Sequence, residues 1–380
     1  MVYRRMTKAI VLLAFLLPLL CPVKGSAQVK GTGPQIIRQL SLDLSYVTKT
    51  RIIGSLISGH FHKSLVVDFD GPLDVLSTLE GMKRVIRVGN HYLPHQAWSG
   101  LDRASVPELL AIFWRSIDLD PDRGTMLITG ADMDNLALET ASNRGLTAVA
   151  LVTAGVRGNA MRLGADEGRY LEPGTINIII LTNRRLSPRA MTRAMITATE
   201  AKTASLQDLD IRSSYQPRLQ ATGTGTDNLI VVQGRGAPAE LTGGHSKLGE
   251  LIAQAAYRGV RTAVARQNGL LAGRKVTDRL KERKIELGPQ GRKAKPGYAA
   301  LEDLVSLRPR VGFWLESTLA LDDAWQRGWL GSLEGHCRAC LALAQDLKIA
   351  WSPPTDNRLG PLDISISLIK AWLAGPGAAD

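Results

Sequence analysis

Aromatic residues are scarce in this chain, at 5% of 380 residues with only five phenylalanines. That argues against an aromatic-lined barrel and for a core of Ala, Val, Ile and Leu. Cysteine is scarcer still, with three in all. Cys337 and Cys340 stand as C-x-x-C, and Cys21 lies near the N-terminus. A four-cysteine zinc site is excluded once Cys21 is set aside. In an oxidising compartment Cys337 and Cys340 could pair. They also suit the Ala/Leu-rich helix around them simply as small residues. His336 beside them has no second histidine nearby. Several signatures of chemistry are missing as well. No Gly-rich loop ends in Gly-Lys-Ser/Thr, no HExxH pair occurs, and no Gly-x-Ser-x-Gly elbow occurs. These absences argue against a P-loop nucleotidase, a zinc protease and an α/β-hydrolase triad. No internal repeat is visible, and no apolar run reaches the ~20 residues of a membrane-spanning helix.

What is present begins with a strong N-terminal pattern. Arg4, Arg5 and Lys8 precede the apolar run Ile10–Leu20, and Gly25 and Ala27 supply small residues at a cleavage site. Residues 1–27 are therefore expected to be a cleaved export signal. Leu20 before Cys21 argues against a lipoprotein site. The expectation is a periplasmic or otherwise exported protein with no membrane span after cleavage. A start codon further downstream would leave it cytoplasmic. The formal charge is +12, and glycine is plentiful at 37 residues.

Residues 28–64 carry few signals and read as a lead-in. From Leu65 the pattern sharpens. Leu65–Phe69 and Leu73–Ser77 read as two strands split by a Gly71-Pro72 turn, and Val85–Val88 as a third. Ser105-Val106-Pro107 opens a helix. Thr125–Thr129 is a strand, and Asp132 is expected to cap a helix running to about Asn143. Leu146–Thr153 is a strand. Ile176–Thr182 is almost continuously apolar, as a central strand covered on both faces requires. Ser187-Pro188 starts a helix with alanines at 190, 194, 198, 201 and 204. Asn228–Gln233 is a further buried strand, and Ser246 starts a helix to about Arg266. The fold class is α/β, with mixed α+β as the alternative: a largely apolar central sheet flanked by helices, with a helical C-terminal tail. The domain spans residues 65–271. Residues 272–297 hold nine Lys and Arg against three acids. Without interleaved aromatics this reads as a solvated basic linker and not a nucleic-acid site. Residues 298–380 read as a helical extension.

The chemistry-bearing residues cluster between Gly174 and Lys247. The loop Thr222-Gly223-Thr224-Gly225-Thr226-Asp227 combines close backbone approach with hydroxyls that donate and accept. It is equally readable as a tight turn into a strand. Asp227 could orient a water or hold a ligand amide, or could bond its own loop. His245, after Gly244, could be a general base or an axial ligand to a metal-bearing cofactor, or could merely precede the Ser246 cap. Glu200 among Ala and Thr is a candidate half-buried acid. Asn183 ends the apolar strand, where open α/β sheets bind ligands. Asn177 within that strand needs buried partners. Asn90-His91 follow a strand and could line a pocket. No metal-ligand set is apparent.

The segments TINIIILTN, ITATEAKTASLQDLDIRSSY, ATGTGTDNLIVV and GGHSKLGELIA resemble the adenosylcobinamide amidohydrolase family of corrinoid salvage. PLDVLST, NHYLP, TGADMDN and ALVTAGV followed by GN agree, so the resemblance covers about residues 65–270. It implies hydrolysis of the amide joining the aminopropanol arm to the corrin ring. It implies no added cofactor, since the corrinoid substrate carries its own cobalt, and a corrinoid uptake system as a partner. No nucleic acid is implied. The same resemblance is compatible with an exported corrinoid-binding protein that has lost the chemistry. Asp227, His245 and Glu200 are the candidate catalytic residues. Asn183, Asn177, Thr222, Gly223, Thr224, Gly225, Thr226, Gly244 and His91 are the candidate substrate contacts.

Overall fold

The computed structural model describes residues 33–100, 105–168, 173–288, 297–356 and 358–375. The expected signal at 1–27 lies outside the described residues. Nine strands form one curled sheet: β1 (Gln35–Leu40), β2 (Val47–Ile57), β3 (His60–Ser77), β4 (Gly81–Tyr92), β5 (Gly124–Thr129), β6 (Ala137–Asn143), β7 (Leu146–Ala154), β9 (Ile176–Thr182) and β12 (Asn228–Val232). The order is β1-β2-β3-β12-β9-β7-β6, with β4 on the other edge of β3 and β5 beyond β4. Short pairs β8 (Ala160–Met161) with β11 (Gly223–Thr224), and β10 (Arg185–Leu186) with β13 (Pro238–Ala239), tie loops together. The mixed α/β class is as expected.

Side chains two apart along a strand face the same way, and the core follows that period. Ile176, Ile178 and Ile180 of β9 join one buried cluster, and Ile179 and Leu181 join another. Alternate residues of β7 and β12 divide likewise. The first cluster is covered by α2 (Pro188–Asp208) and α3 (Lys247–Asn268). The alanines of α2 and Gly259 of α3 permit close packing. A Cβ at Gly259 would lie 2.6 Å from Val152 of β7. The second cluster fills the concave interior of the sheet. Outside β4 and β5, α1 (Val106–Ser116) lays Trp114 against Gly124, where a Cβ would come within 2.6 Å of the ring. Ser105, Ser187 and Ser246 are the N-caps of α1, α2 and α3, as expected.

Four expectations are corrected. Residues 28–64 are not simply a lead-in, because β1, β2 and the start of β3 are built from them. Gly71-Pro72 does not separate two strands: β3 is continuous, with a bulge against β4 between Asp68 and Leu73. The helix from Asp132 to Asn143 is absent. Asp132 caps a single 3₁₀ turn, Met133–Asn135, and Ala137–Asn143 then pairs along its whole length with β7. The turn that forces this hairpin is Arg144-Gly145, both at positive φ, the geometry two-residue hairpins favour.

The basic stretch is the fourth correction. Val276–Glu282 forms α4, and the Arg283 side chain is 0% exposed. Asp210, at the end of α2, accepts from Arg212, Arg279 and Arg283. Arg212 also bonds Asp323, and Arg274 bonds Glu282 and the carbonyls of Leu209 and Asp210. Burial alone would raise the Asp210 carboxyl, but the guanidiniums of Arg283, Arg212 and Arg279 outweigh it and hold it at about 2. These arginines are ionic connectors, not a solvated run; Arg292, Lys293 and Lys295 of the same stretch lie outside the described residues. Beyond them α5 (Gly297–Leu307), α6 (Pro309–Gln326), α7 (Glu334–Leu347) and α8 (Pro361–Ala374) share their own apolar cluster with α4. Cys337 and Cys340 are free thiols on α7. Among the described residues no helix is long and apolar enough to cross a membrane.

Candidate active site

β9 and β12 run parallel, with Asn177 opposite Asn228. Their N-terminal ends therefore lie together, and so do their C-terminal ends. β7 is antiparallel to β9, so Ala154 and Gly155 sit beside Thr175 and Ile176. The curl of the sheet brings β4 and β5 to the same place. The Asn177 amide donates to Asn90 Oδ1 on β4 at 2.8 Å and to the Ile128 carbonyl on β5 at 2.9 Å. Asn90 in turn donates to Thr153 Oγ1 on β7 at 2.9 Å. A buried amide that spans three strands in this way is satisfied on every side, and it locks their relative position.

The Gly/Thr loop closes over this lattice. Asp227 takes four donors: Ile176 N–H at 3.1 Å and Thr224 Oγ1 at 2.5 Å on one oxygen, Thr224 N–H at 3.1 Å and the Lys202 ammonium on the other. Lys202 reaches it from α2 and is 5% exposed. Gly223 is needed here, since a Cβ would come within 2.4 Å of Asp227 and 2.7 Å of Lys202. Gly225 faces Asn159, whose amide donates to the Gly174 carbonyl and accepts from the Tyr215 hydroxyl. Thr226 Oγ1 donates to Gly174 and Thr175 Oγ1 to the Thr226 carbonyl. Thr222 bonds the Met161 carbonyl and Leu163 N–H. The threonines thus build the loop, and only Gly225 and Thr226 form an exposed tip. At the same end a cavity of about 590 Å³ opens between Val156-Arg157, Ile211–Ser214 and the α4 side chains Asp278, Lys281 and Glu282. Among the described residues no cluster of three or more His, Cys, Asp or Glu is placed to hold a metal ion.

The model of the adenosylcobinamide amidohydrolase (CbiZ) family matches residues 45–272, more than half of the chain. The chain belongs to that family. It is also 42% identical over 224 residues to an uncharacterized protein from Methanocaldococcus jannaschii, covering 54% of this chain and 87% of that one. A crystal structure of a protein from Pyrococcus horikoshii OT3 aligns with 62% of this chain and 85% of its own, at 12% identity and a TM-score of 0.29. That score is too low to support an argument about fold or site.

Most of the segments that resemble the family converge at one end of the sheet, whereas GGHSKLGELIA starts at the other. NHYLP contributes Asn90, TGADMDN follows β5, ALVTAGV and GN contribute Thr153 and Asn159, TINIIILTN contributes Thr175 and Asn177, and ATGTGTD contributes the loop. Thr153, Asn159, Lys202 and Tyr215 are members of this end that sequence reasoning did not select, and Asn90 was read only together with His91 as able to line a pocket. Asn90 stood beside His91 in a quoted motif. The alternation of a strand decides that only one of the two can face the interior.

Several expected site residues lie elsewhere. The parallel register sends His245 and Gly244 to the opposite end of the sheet from Asp227, so these do not share a pocket. Glu200 is exposed on α2, not half-buried. Asn183 accepts from Thr147 N–H and donates to the Gly145 carbonyl, fastening the β6–β7 hairpin. His91 is buried behind the sheet, stacked on Phe113 of α1 at 3.7 Å. Its ring nitrogens lie 2.8 Å from Ser64 Oγ and 2.9 Å from His62 Nδ1. Burial, reinforced by His62, holds its pKa well below the ordinary value.

Proposed function

We propose that this chain hydrolyses the amide linking aminopropanol to the corrin ring of adenosylcobinamide, giving adenosylcobyric acid and 1-amino-2-propanol, at the Gly/Thr-loop end of the sheet. The observation that supports this reading is the convergence there of most of the segments that mark the family, GGHSKLGELIA excepted. A corrinoid is a broad apolar disc edged with amides, and an end built of Asn, Thr and backbone groups beside aliphatic strands suits it. Asp227 is the proposed proton acceptor. Its Oδ1 already accepts from the Thr224 hydroxyl, the arrangement of a hydroxyl and its base. A water beside Thr224 adds to the amide carbon as Asp227 takes its proton, the C–N bond breaks, and the amine leaves with that proton; if the Thr224 hydroxyl adds instead, an ester on Thr224 forms as the amine leaves, and a water must then break that ester to release the acid. Lys202 orients Asp227 and places a positive charge beside it, where it would favour negative charge developing on the substrate. The test is incubation of the purified protein with adenosylcobinamide, without nucleotide, and chromatography of the corrinoid and amine products. Absence of both products overturns the reading.

A second reading has one observation in its favour. All four donors on Asp227 are already in place, so the carboxylate is as well suited to bracing a loop as to accepting a proton. An exported corrinoid-binding protein without hydrolysis would shift the corrinoid spectrum and release no aminopropanol.

A further inference from the structure

We infer that the chain carries a second binding site, for a phosphate-bearing small molecule, at the opposite end of the sheet from the candidate active site. A cavity of about 530 Å³ lies there, where the connections from β9 to α2 and from β12 to α3 meet. Arg189, Thr192, Arg193 and Ile196 of α2 form one wall, and the segment Glu240–Gly243 with His245 forms the other.

The charges in this cavity are not neutralised. The side chains of Arg189, Arg193 and His245 have no hydrogen-bond or ion-pair partner among the described residues. Arg212, Arg274, Arg279 and Arg283, near the other cavity, each bond a carboxylate. An anion entering that first cavity would have to displace an acid; here it would not. The carboxylate lining this cavity, Glu240, is bonded by the Ser187 hydroxyl at 2.6 Å. Residues 183–199 hold four arginines and no acid.

The two cationic walls are drawn together by a missing side chain. A Cβ at Gly243 would lie 3.0 Å from Arg193 Nε and 3.2 Å from the His245 ring. Glycine at this position lets both side chains occupy the same rim. Two guanidiniums and an imidazole provide N–H donors, those of the guanidiniums forked, which match phosphate oxygens better than a single carboxylate. Arg189, Thr192 and Arg193 lie in the first two turns of α2, so this wall of the cavity is the N-terminal end of that helix. A concave volume of this size suits a small molecule rather than a flat lipid or protein surface.

The inference is tested on the purified full-length protein by calorimetric titration at low ionic strength. Inorganic pyrophosphate is one probe and ATP a second, to separate recognition of phosphate alone from recognition of a nucleotide. The expected result is binding of at least one. Arg189→Gln or Arg193→Gln should weaken it about tenfold or more, the scale of a lost charged hydrogen bond. Gly243→Ala should weaken it as well. Adenosylcobinamide hydrolysis should persist in both arginine variants. Absence of binding by either probe, equal binding by the arginine variants, or binding only to phosphatidylglycerol vesicles would each overturn the inference. So would loss of hydrolysis with unchanged stability, since the chemistry would then lie at this end.

Discussion

Replacing Asp227 by Asn is the perturbation that probes most of the proposed site at once. The substitution keeps the shape and the two oxygen- and nitrogen-bearing positions but removes the charge that Lys202 faces. Lys202 is 5% exposed, and Gly223 lies close against its ammonium. Breaking a buried pair by removing one partner costs about 3–5 kcal/mol, because the surviving charge is left uncompensated. The amide oxygen of Asn can keep some of the Ile176 and Thr224 bonds, so the lower half of that range is expected. The double variant Lys202→Met/Asp227→Asn removes both charges, and its cost should fall well short of the two single costs added together. Urea unfolding of the four proteins gives the cycle directly. In parallel, Asp227→Asn should slow hydrolysis by about tenfold to a hundredfold, the scale of a lost general base. Stability within about 0.5 kcal/mol of the parent in both single variants would refute the reasoning. A destabilised Asp227→Asn protein that still turns over normally would leave the bracing role and remove the catalytic one.

Other expectations follow from the same structure. His62 is held at about 4, by burial first and by His60 second, and His91 is held well below 6.5, so both are neutral in the folded chain at neutral pH. The unfolded chain takes up these protons below 6.5. This stability is therefore complete above that pH and is lost as the pH falls towards about 4, at up to about 1.4 kcal/mol per pH unit for each histidine. Urea midpoints between pH 7 and 4.5 should show this slope, and a His62→Phe/His91→Phe variant should flatten it. Asp210→Asn leaves three guanidiniums without their shared carboxylate and should cost about 3 kcal/mol or more, with faster proteolysis after Asn268 as the readout. Lys281→Ala should change stability by less than about 1 kcal/mol, because its pairs with Asp278 and Glu302 are solvent-exposed. Export, if it occurs, should yield a protein whose N-terminal sequence starts near Gln28; a product starting at Met1 would refute the cleaved signal.

What the sequence determined by itself was local. The almost continuously apolar run at Ile176–Thr182 read as a strand covered on both faces, because its isoleucines and leucine fall on both sides of a period of two. Ser105, Ser187 and Ser246 marked helix starts: the Ser187 and Ser246 hydroxyls accept from N–H groups three residues on, and at Ser105 the Glu108 carboxylate accepts from the cap's own N–H. The motifs carried the family for the same reason: each is a short, contiguous string. Tertiary structure decided whatever depends on partners distant in the chain. Asp132 capped a single turn as a cap should, yet the pairing of Ala137–Asn143 with β7 overrode the helix expected after it. The basic run looked solvated because the acids that neutralise it, Asp210 and Asp323, lie tens of residues before and after it. The separation of His245 from Asp227 turned on whether β9 and β12 are parallel. An apolar strand buried on both faces has the same pattern in either direction, so only the hydrogen-bond register of the folded sheet could decide which residues share an end.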